Sequence, residues 1–409
     1  MGYELVLHES KVGQVSALEV FVAFLRLGCT SFGGPVAHVG YFRTELVQRR
    51  QWLNESHFAQ LLALCQFLPG PASSQLGAGI GLYLAGWWGA LAAFVAFTLP
   101  SVLLLMLFAA GLEHLSPDLA QAVVHGLKLV AAIVVADAVY SMSKNLCPDF
   151  KTRLVALVSL VGALLLAGSL FQMLIILFAA VAGVFVFSLP ESVSGNQPMR
   201  WRFGKRTAAV LLVVFLVLFL GLPFFSGLEP ALGSVADLFY RAGALVFGGG
   251  HVVLPLLEPE LVKDGWLTAD QFLAGYGAAQ AIPGPLFSVS AYWASILPAT
   301  NPAPVMALVA LLAIFLPGFL LLAAVLPWWE HWSRVAWART ALLAVNASVV
   351  GLLAAAFVDP VLTSALVRLE DGLLLVVGLA LLKAFRLPVL VVVALCVASS
   401  VAFTFWIPL

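Results

Sequence analysis

The chain has 409 residues, of which 62% are hydrophobic and 10% charged, and its 20 basic and 20 acidic side chains cancel. A soluble globular chain carries about a quarter charged residues, so the composition excludes a soluble domain and describes an all-α polytopic membrane protein. Zero net charge leaves no electrostatic footprint for nucleic acid.

The start is polar and mildly charged, with no short apolar core, and does not read as a cleaved signal peptide. Residues 16–32 then read as a helix that breaks at Gly33-Gly34-Pro35, and a second short helix carries His38 and Glu45. The basic loop Arg49-Arg50-Gln51 follows. A third helix over 55–68 breaks at Pro69-Gly70-Pro71, and a fourth covers 72–87. Proline removes a donor and clashes with the preceding turn, and glycine permits a reversal. These breaks interrupt apolar sequence, and non-helical backbone at membrane depth needs surrounding protein or a water-filled cavity. Each half is therefore expected to hold two broken or re-entrant helical hairpins beside spanning helices. Apolar runs at 88–111, 120–142, 153–188, 207–222, 304–326, 336–358 and 372–406 meet the roughly 20-residue requirement of a bilayer helix. The four cysteines, Cys29, Cys65, Cys147 and Cys396, have no metal-ligand spacing and read as apolar fillers.

The chain contains its first stretch twice. Arg26, Phe32-Gly33-Gly34-Pro35, Glu45, Trp52-Leu53 and Gln66 to Pro71 recur as Arg241, Phe247-Gly248-Gly249-Gly250, Glu260, Trp266-Leu267 and Gln280 to Pro285. Ser74 recurs as Ser288, Leu99-Pro100 as Leu316-Pro317, and His114 as His331. The expected organisation is a first repeat over 1–189, a basic linker over 190–206, an extra spanning helix and loop over 207–233, and a second repeat over 234–409. Loop charges give orientation, because Lys and Arg favour the cytoplasmic side. Arg43, Arg49 and Arg50 oppose a counterpart with Glu258, Glu260, Asp264 and Asp270 against Lys263 alone. The loop 113–118 has no basic residue, while its counterpart holds Arg334 and Arg339. Lys144, Lys151 and Arg153 oppose Arg368. All three comparisons change sign, so the halves are expected in inverted topology, with the N-terminus and the linker cytoplasmic. Inverted repeats with broken helices are the layout of a secondary transporter.

The chemistry concentrates at the breaks. A helix beginning there presents free N–H groups and a positive dipole end, which bind anions. Gly33, Gly34, Gly70, Gly248, Gly249 and Gly284 are the candidate backbone positions. Ser74 and Ser288 follow in the first turn, where their hydroxyls either meet the same anion or bond back to their own turn. Arg26 and Arg241 lie in apolar helices before each glycine break, and an intramembrane arginine is a functional candidate by default; an ion pair with Asp237, or snorkelling, is the structural alternative. Gln66 and Gln280 either donate to substrate or tie up carbonyls freed by proline. Glu45, Glu260, His38, His251 and Lys128 are candidates for coupling or for lining the pathway, each weighed against a packed structural role. His125 and Lys128 are placed three apart, on one helix face. Tryptophans such as Trp87, Trp88, Trp328 and Trp329 fit interfacial belts.

At the duplicated motifs the chain resembles the chromate ion transporter family in its long, two-domain form, over nearly its whole length. The resemblance implies chromate export from a bacterial cytoplasm and chromate resistance, with sulfate as the chemical analogue. It implies the inner membrane as location and an inorganic oxyanion as partner, and leaves a homodimer open. Sulfate or other anion uptake is the alternative. No His-Glu-x-x-His, Gly-x-Ser-x-Gly or nucleotide loop occurs, so no enzyme, cofactor or metal is expected.

Overall fold

The computed structural model describes residues 15–166, 168–188, 199, 201, 203–226, 231–329 and 335–406. Most of the linker, His331, Arg334 and the N-terminal lead lie outside the described residues. Among the described residues the chain is helical throughout, with no strand.

The first half runs α1 (Ala17–Thr30), α2 (Gly34–Phe42, continued by a π-helical turn Arg43–Arg49), α3 (Glu55–Phe67), α4 (Ala72–Glu113), α5 (Pro117–Leu146), α6 (Phe150–Leu165) and α7 (Ser169–Val186). An extra helix, α8 (Lys205–Gly221), follows. The second half repeats the order with α9 (Leu232–Leu245), α10 (Val253–Glu258), α11 (Ala269–Ala281), α12 (Val289–Ser295), α13 (Ala303–Val325), α14 (Ala336–Ala356), α15 (Leu369–Lys383) and α16 (Val389–Trp406). Five stretches are long and apolar enough to cross a bilayer: Ala72–Glu113, Pro117–Leu146, Lys205–Phe225, Ala303–Trp328 and Ala336–Ala365.

Helices α1 and α3 are half-length elements, of 14 and 13 residues. At about 1.5 Å per residue each is roughly 20 Å long, short of the ~30 Å hydrocarbon core. Ser16 caps α1 in a capping box with Glu19, and α1 ends before the left-handed Gly33. Asn54 caps α3 through His57 N–H. The 42-residue α4 is a hairpin, because Ala85 and Gly86 leave helical geometry and Gly86 takes φ +68°. Its arms close so tightly that a Cβ on Gly81 would lie 2.3 Å from the Gly89 carbonyl oxygen. The expected boundary near 87 therefore falls at 85–86.

Two long apolar runs differ from expectation. The run 153–188 divides into α6 and α7 at Gly168, which has φ +117°. The run 372–406 divides into α15 and α16 around Arg386, with φ +53°, ahead of Pro388. In both, a locally reversed backbone outweighs continuous hydrophobicity.

Packing is repeated along with element order. Gly28 of α1 lies against the backbone of Ala96 and Phe97 in α4, and Gly243 of α9 lies against Ile314 and Pro317 in α13. Phe24, Phe42 and Phe97 meet edge to face, with centroids 5.1–6.4 Å apart. In the second half Phe272 stacks on Trp293 at 4.6 Å, and the indole N–H donates to the Phe272 carbonyl.

Candidate functional site

The helix breaks of the two halves meet. Gly70 N–H donates to the Val246 carbonyl at 2.7 Å, and Gly284 N–H donates to the Ser31 carbonyl at 3.0 Å. Ser31 and Val246 are repeat-equivalent, as are Gly70 and Gly284. Each Pro-Gly-Pro break is thus tied to the end of the arginine-bearing helix of the other half. The glycine turns also face each other, since a Cβ on Gly250 would lie 3.6 Å from Pro35 Cγ. That Cβ would also lie 3.2 Å from Leu286 Cδ2, so the second turn has little room for the proline of the first.

This contact engages the Gly70 and Gly284 amides, which the sequence offers as anion donors. Gly33, Gly34, Gly248 and Gly249 all take positive φ, from +75° to +144°, as the turns require. Gln75, rather than Gln66, ties up the freed carbonyls: its Nε2 donates to Pro69 O and Gly318 O, both at 2.9 Å. Gln66 is exposed. Gln280 is half-buried, with Nε2 unpartnered.

Around the crossing lies a buried polar cluster. His38 sits edge-on to Phe97 at 5.3 Å, and its Nδ1 is 3.3 Å from Ser73 Oγ. Ser101 Oγ donates to the Thr98 carbonyl and lies 2.6 Å from Ser288 Oγ. Ser31, His38, Ser74 and Thr98 are at most 3% exposed. Yet Ser31 Oγ, His38 Nε2, Ser74 Oγ and Thr98 Oγ1 have no hydrogen-bond partner. A buried unpaired polar atom costs about 1–3 kcal/mol, and such atoms are uncommon in folded proteins. Four such atoms on the segments that meet at the crossing are donors that a bound anion would satisfy.

Apart from Ser288, the cluster is drawn from one half. The repeat places Val246 opposite Ser31, Val253 opposite His38, Phe287 opposite Ser73, Phe315 opposite Thr98 and Gly318 opposite Ser101. Only Ser74 and Ser288 are polar in both. Reading motifs singly finds His38, Ser74 and Ser288 but misses Ser31, Ser73, Thr98 and Ser101. The available signal was polar residues in one repeat against apolar ones in the other.

The charged candidates lie in other contacts. Arg26 is on the exposed face of α1, and its charge reaches Glu45. Glu45 is 11% exposed and binds Arg50 at 2.7 Å and Arg49 at 3.3 Å. Burial pushes its carboxyl up, but the Arg50 hydrogen bond and the surrounding guanidinium charges outweigh this and hold it below the usual range. Arg241 donates to Asp237 at 2.6 Å, lies over the Phe219 ring, and shares a cavity of about 210 Å³ with Glu260 and Gln172. Removing the guanidinium leaves a carboxylate only 13% exposed without this partner. Arg241→Ala is therefore expected to destabilise the protein by about 3 kcal/mol, and Asp237→Asn in the same chain to restore most of it, read by thermal unfolding in detergent.

His251 Nδ1 is 2.5 Å from Tyr276 Oη. Lys128 and His125 do not share a partner: Lys128 pairs with Asp270 at 2.7 Å and His125 with Asp371 at 2.9 Å. Each finds a carboxylate on a different second-half helix, which separates two residues that spacing alone puts together. Among the described residues no group of three or more His, Cys, Asp or Glu side chains can hold a metal.

A family profile described as "Chromate transporter" matches residues 18–184 and 233–401. A "Probable chromate transport protein" of Synechococcus elongatus is 29% identical over 82% of this chain and 82% of its own. A "Chromate transport protein" of Cupriavidus metallidurans is 29% identical, covering 90% of this chain and 88% of the relative. One of Pseudomonas aeruginosa is 27% identical, covering 93% and 90%. No solved structure matches the chain.

Proposed function

The chain belongs to the chromate transporter family, and on that premise we propose that it carries tetrahedral oxyanions across a bacterial inner membrane, chromate foremost, in the outward direction. The observation that carries this reading is the set of four buried, unpaired polar atoms beside the crossed helix breaks. Ser31, His38, Ser74 and Thr98 present hydroxyls and an imidazole nitrogen to one region. The first-turn amides of α2 and α4 are the further donors, as helix N-termini are for anions generally.

Because Val246, Val253 and Phe315 replace three of the four donors in the second half, the first half is the one that carries the site. A site of neutral donors reads charge and shape, so sulfate competes with chromate. All four side chains are buried, so an anion reaches them only if the surrounding segments part. The hydrogen bonds from Gly70 and Gly284 hold those segments together, and access on one side requires one of these bonds to open. The loop-charge pattern supports inverted halves, with the linker cytoplasmic. Glu45 and Lys128 are engaged in ion pairs and His251 meets Tyr276; with Glu260 they are groups that couple or stabilise.

The driving force follows from charge. Moving one charge across 100 mV is worth about 2.3 kcal/mol. A dianion leaving a negative interior therefore gains roughly 4.6 kcal/mol, about three orders of magnitude in concentration ratio. Export needs no obligatory partner ion on those terms, and such export would confer chromate resistance.

The test is labelled chromate flux in proteoliposomes with an imposed potential. Flux that follows the potential and is inhibited by sulfate is the expected result. Flux only with an added proton gradient or counter-anion would replace potential-driven export by coupled transport. Sulfate entry with no chromate flux would favour an uptake carrier.

A further inference from the structure

A large cavity lies away from the helix breaks. It encloses about 620 Å³ between α3, the linker and the end of α13, within the roughly 300–1,000 Å³ of small-molecule sites. Its walls include Gln60, Trp201, Lys205, Trp328 and Trp329. Among the described residues no acid lines it. Lys205 Nζ lies 4.7 Å from the Trp328 ring centroid, a cation–π contact at the start of the spanning stretch Lys205–Phe225. The neighbouring sequence adds Arg200, Arg202 and Arg206.

The walls are rigid and amphipathic. Trp201 packs on Tyr83 at 5.6 Å, Phe203 packs on Trp87 at 5.2 Å, and Trp329 packs on Phe67 at 5.4 Å. The first two pin the linker onto the first half, and the third packs the end of α13 against α3. Gly204 begins α8 and supplies no side-chain cap to the first-turn amides beside Lys205. Tryptophan rings favour the depth of lipid headgroups. A basic run at the mouth of a spanning helix attracts anionic lipid. The cavity therefore offers positive charge and N–H donors to a phosphate and indole faces to a glycerol body.

We propose that this cavity holds the headgroup of an anionic phospholipid from the leaflet on the linker side. The lipid bridges the linker to both halves at a place the transported anion does not use.

The experiment measures lipid retained by the purified full-length protein, by native mass spectrometry in neutral detergent, with phosphatidylglycerol and phosphatidylcholine offered together. Wild type should retain phosphatidylglycerol in preference, by about fivefold for the one lysine. Lys205→Gln should lose that preference while still retaining lipid. Arg206→Gln removes the same charge from outside the cavity and should keep it. Trp328→Leu, which removes the ring under the lysine, should weaken it in parallel. Unchanged preference in Lys205→Gln would overturn the proposal, and so would equal loss in Arg206→Gln, the sign of diffuse attraction. Displacement of phosphatidylglycerol by millimolar inorganic phosphate would overturn it in favour of a small-anion site.

Discussion

Replacing His38 by leucine is expected to leave the protein as stable as wild type, or about 1 kcal/mol more stable, while lowering oxyanion flux at least roughly tenfold. The two effects have opposite signs because His38 carries a buried Nε2 with no partner. Its other nitrogen lies 3.3 Å from Ser73 Oγ, and the Ser31 backbone is the ring's other polar neighbour. In the unliganded fold the free nitrogen is a cost, and leucine, of similar volume, removes it. The matching second-half position, Val253, is fully buried and aliphatic, so the scaffold accepts an apolar side chain there. With an anion bound the same nitrogen becomes a donor to a charged acceptor, worth about 1.5–3 kcal/mol. A structural histidine would behave in the reverse way, with stability falling and flux following only as folded protein was lost. Thermal unfolding and potential-driven flux on one preparation separate the two.

Gly70→Ala is expected to be severely damaging, because strain and overlap fall on one residue. Gly70 has φ +122°, a region that side chains rarely adopt. Its Cβ would also lie 2.9 Å from the Gly318 Cα and 2.9 Å from Gln75 Nε2. The glutamine can swing away, but only by surrendering its bonds to Pro69 and Gly318. The backbone of Gly318 cannot give without moving α13. Strain of about 1–3 kcal/mol and overpacking of about 1–3 kcal/mol combine, so a loss of several kcal/mol, or failure to accumulate folded protein, is expected. Gly284→Ala is milder, because its Cβ would meet the Ser101 side chain at 3.0–3.1 Å and the Phe97 carbonyl oxygen at 3.2 Å. It should fold with reduced flux, because the strain weakens the Gly284–Ser31 tie. Expression level and unfolding midpoints of the two variants check the order; equal behaviour would contradict the backbone argument.

Much of the fold was legible because its signals are local. Pro-Gly-Pro and Gly-Gly-Pro end helices wherever they stand, so the bounds of α1 and α3 follow from the residues themselves. The reversal inside α4 falls within two residues of its expected place. Gly168 was not legible as a division, because a lone glycine in an apolar run usually continues a helix, and only the backbone shows its φ of +117°. The site was legible only in part. Apolar surroundings made Arg26 and Arg241 conspicuous, but charge is satisfied locally, and Arg241 finds Asp237 one turn away. Ser31, Thr98 and Ser101 are ordinary residues in helical sequence. What distinguishes them is a crossing between distant segments, as in the contact of Ser101 with Ser288, 187 positions away, and no local pattern encodes that.

The central claim is that neutral donors of the first half bind the oxyanion. Equilibrium dialysis of labelled chromate against the purified protein tests it most directly, wild type beside the double variant Ser31→Ala/Thr98→Val. The predicted result is saturable binding of one anion per chain, displaced by sulfate, and weakened about a hundredfold or more in the double variant through loss of two hydrogen bonds to a charged ligand. Wild-type affinity in the double variant, with binding lost instead in Arg26→Ala or Arg241→Ala, would contradict it and return the site to the arginines.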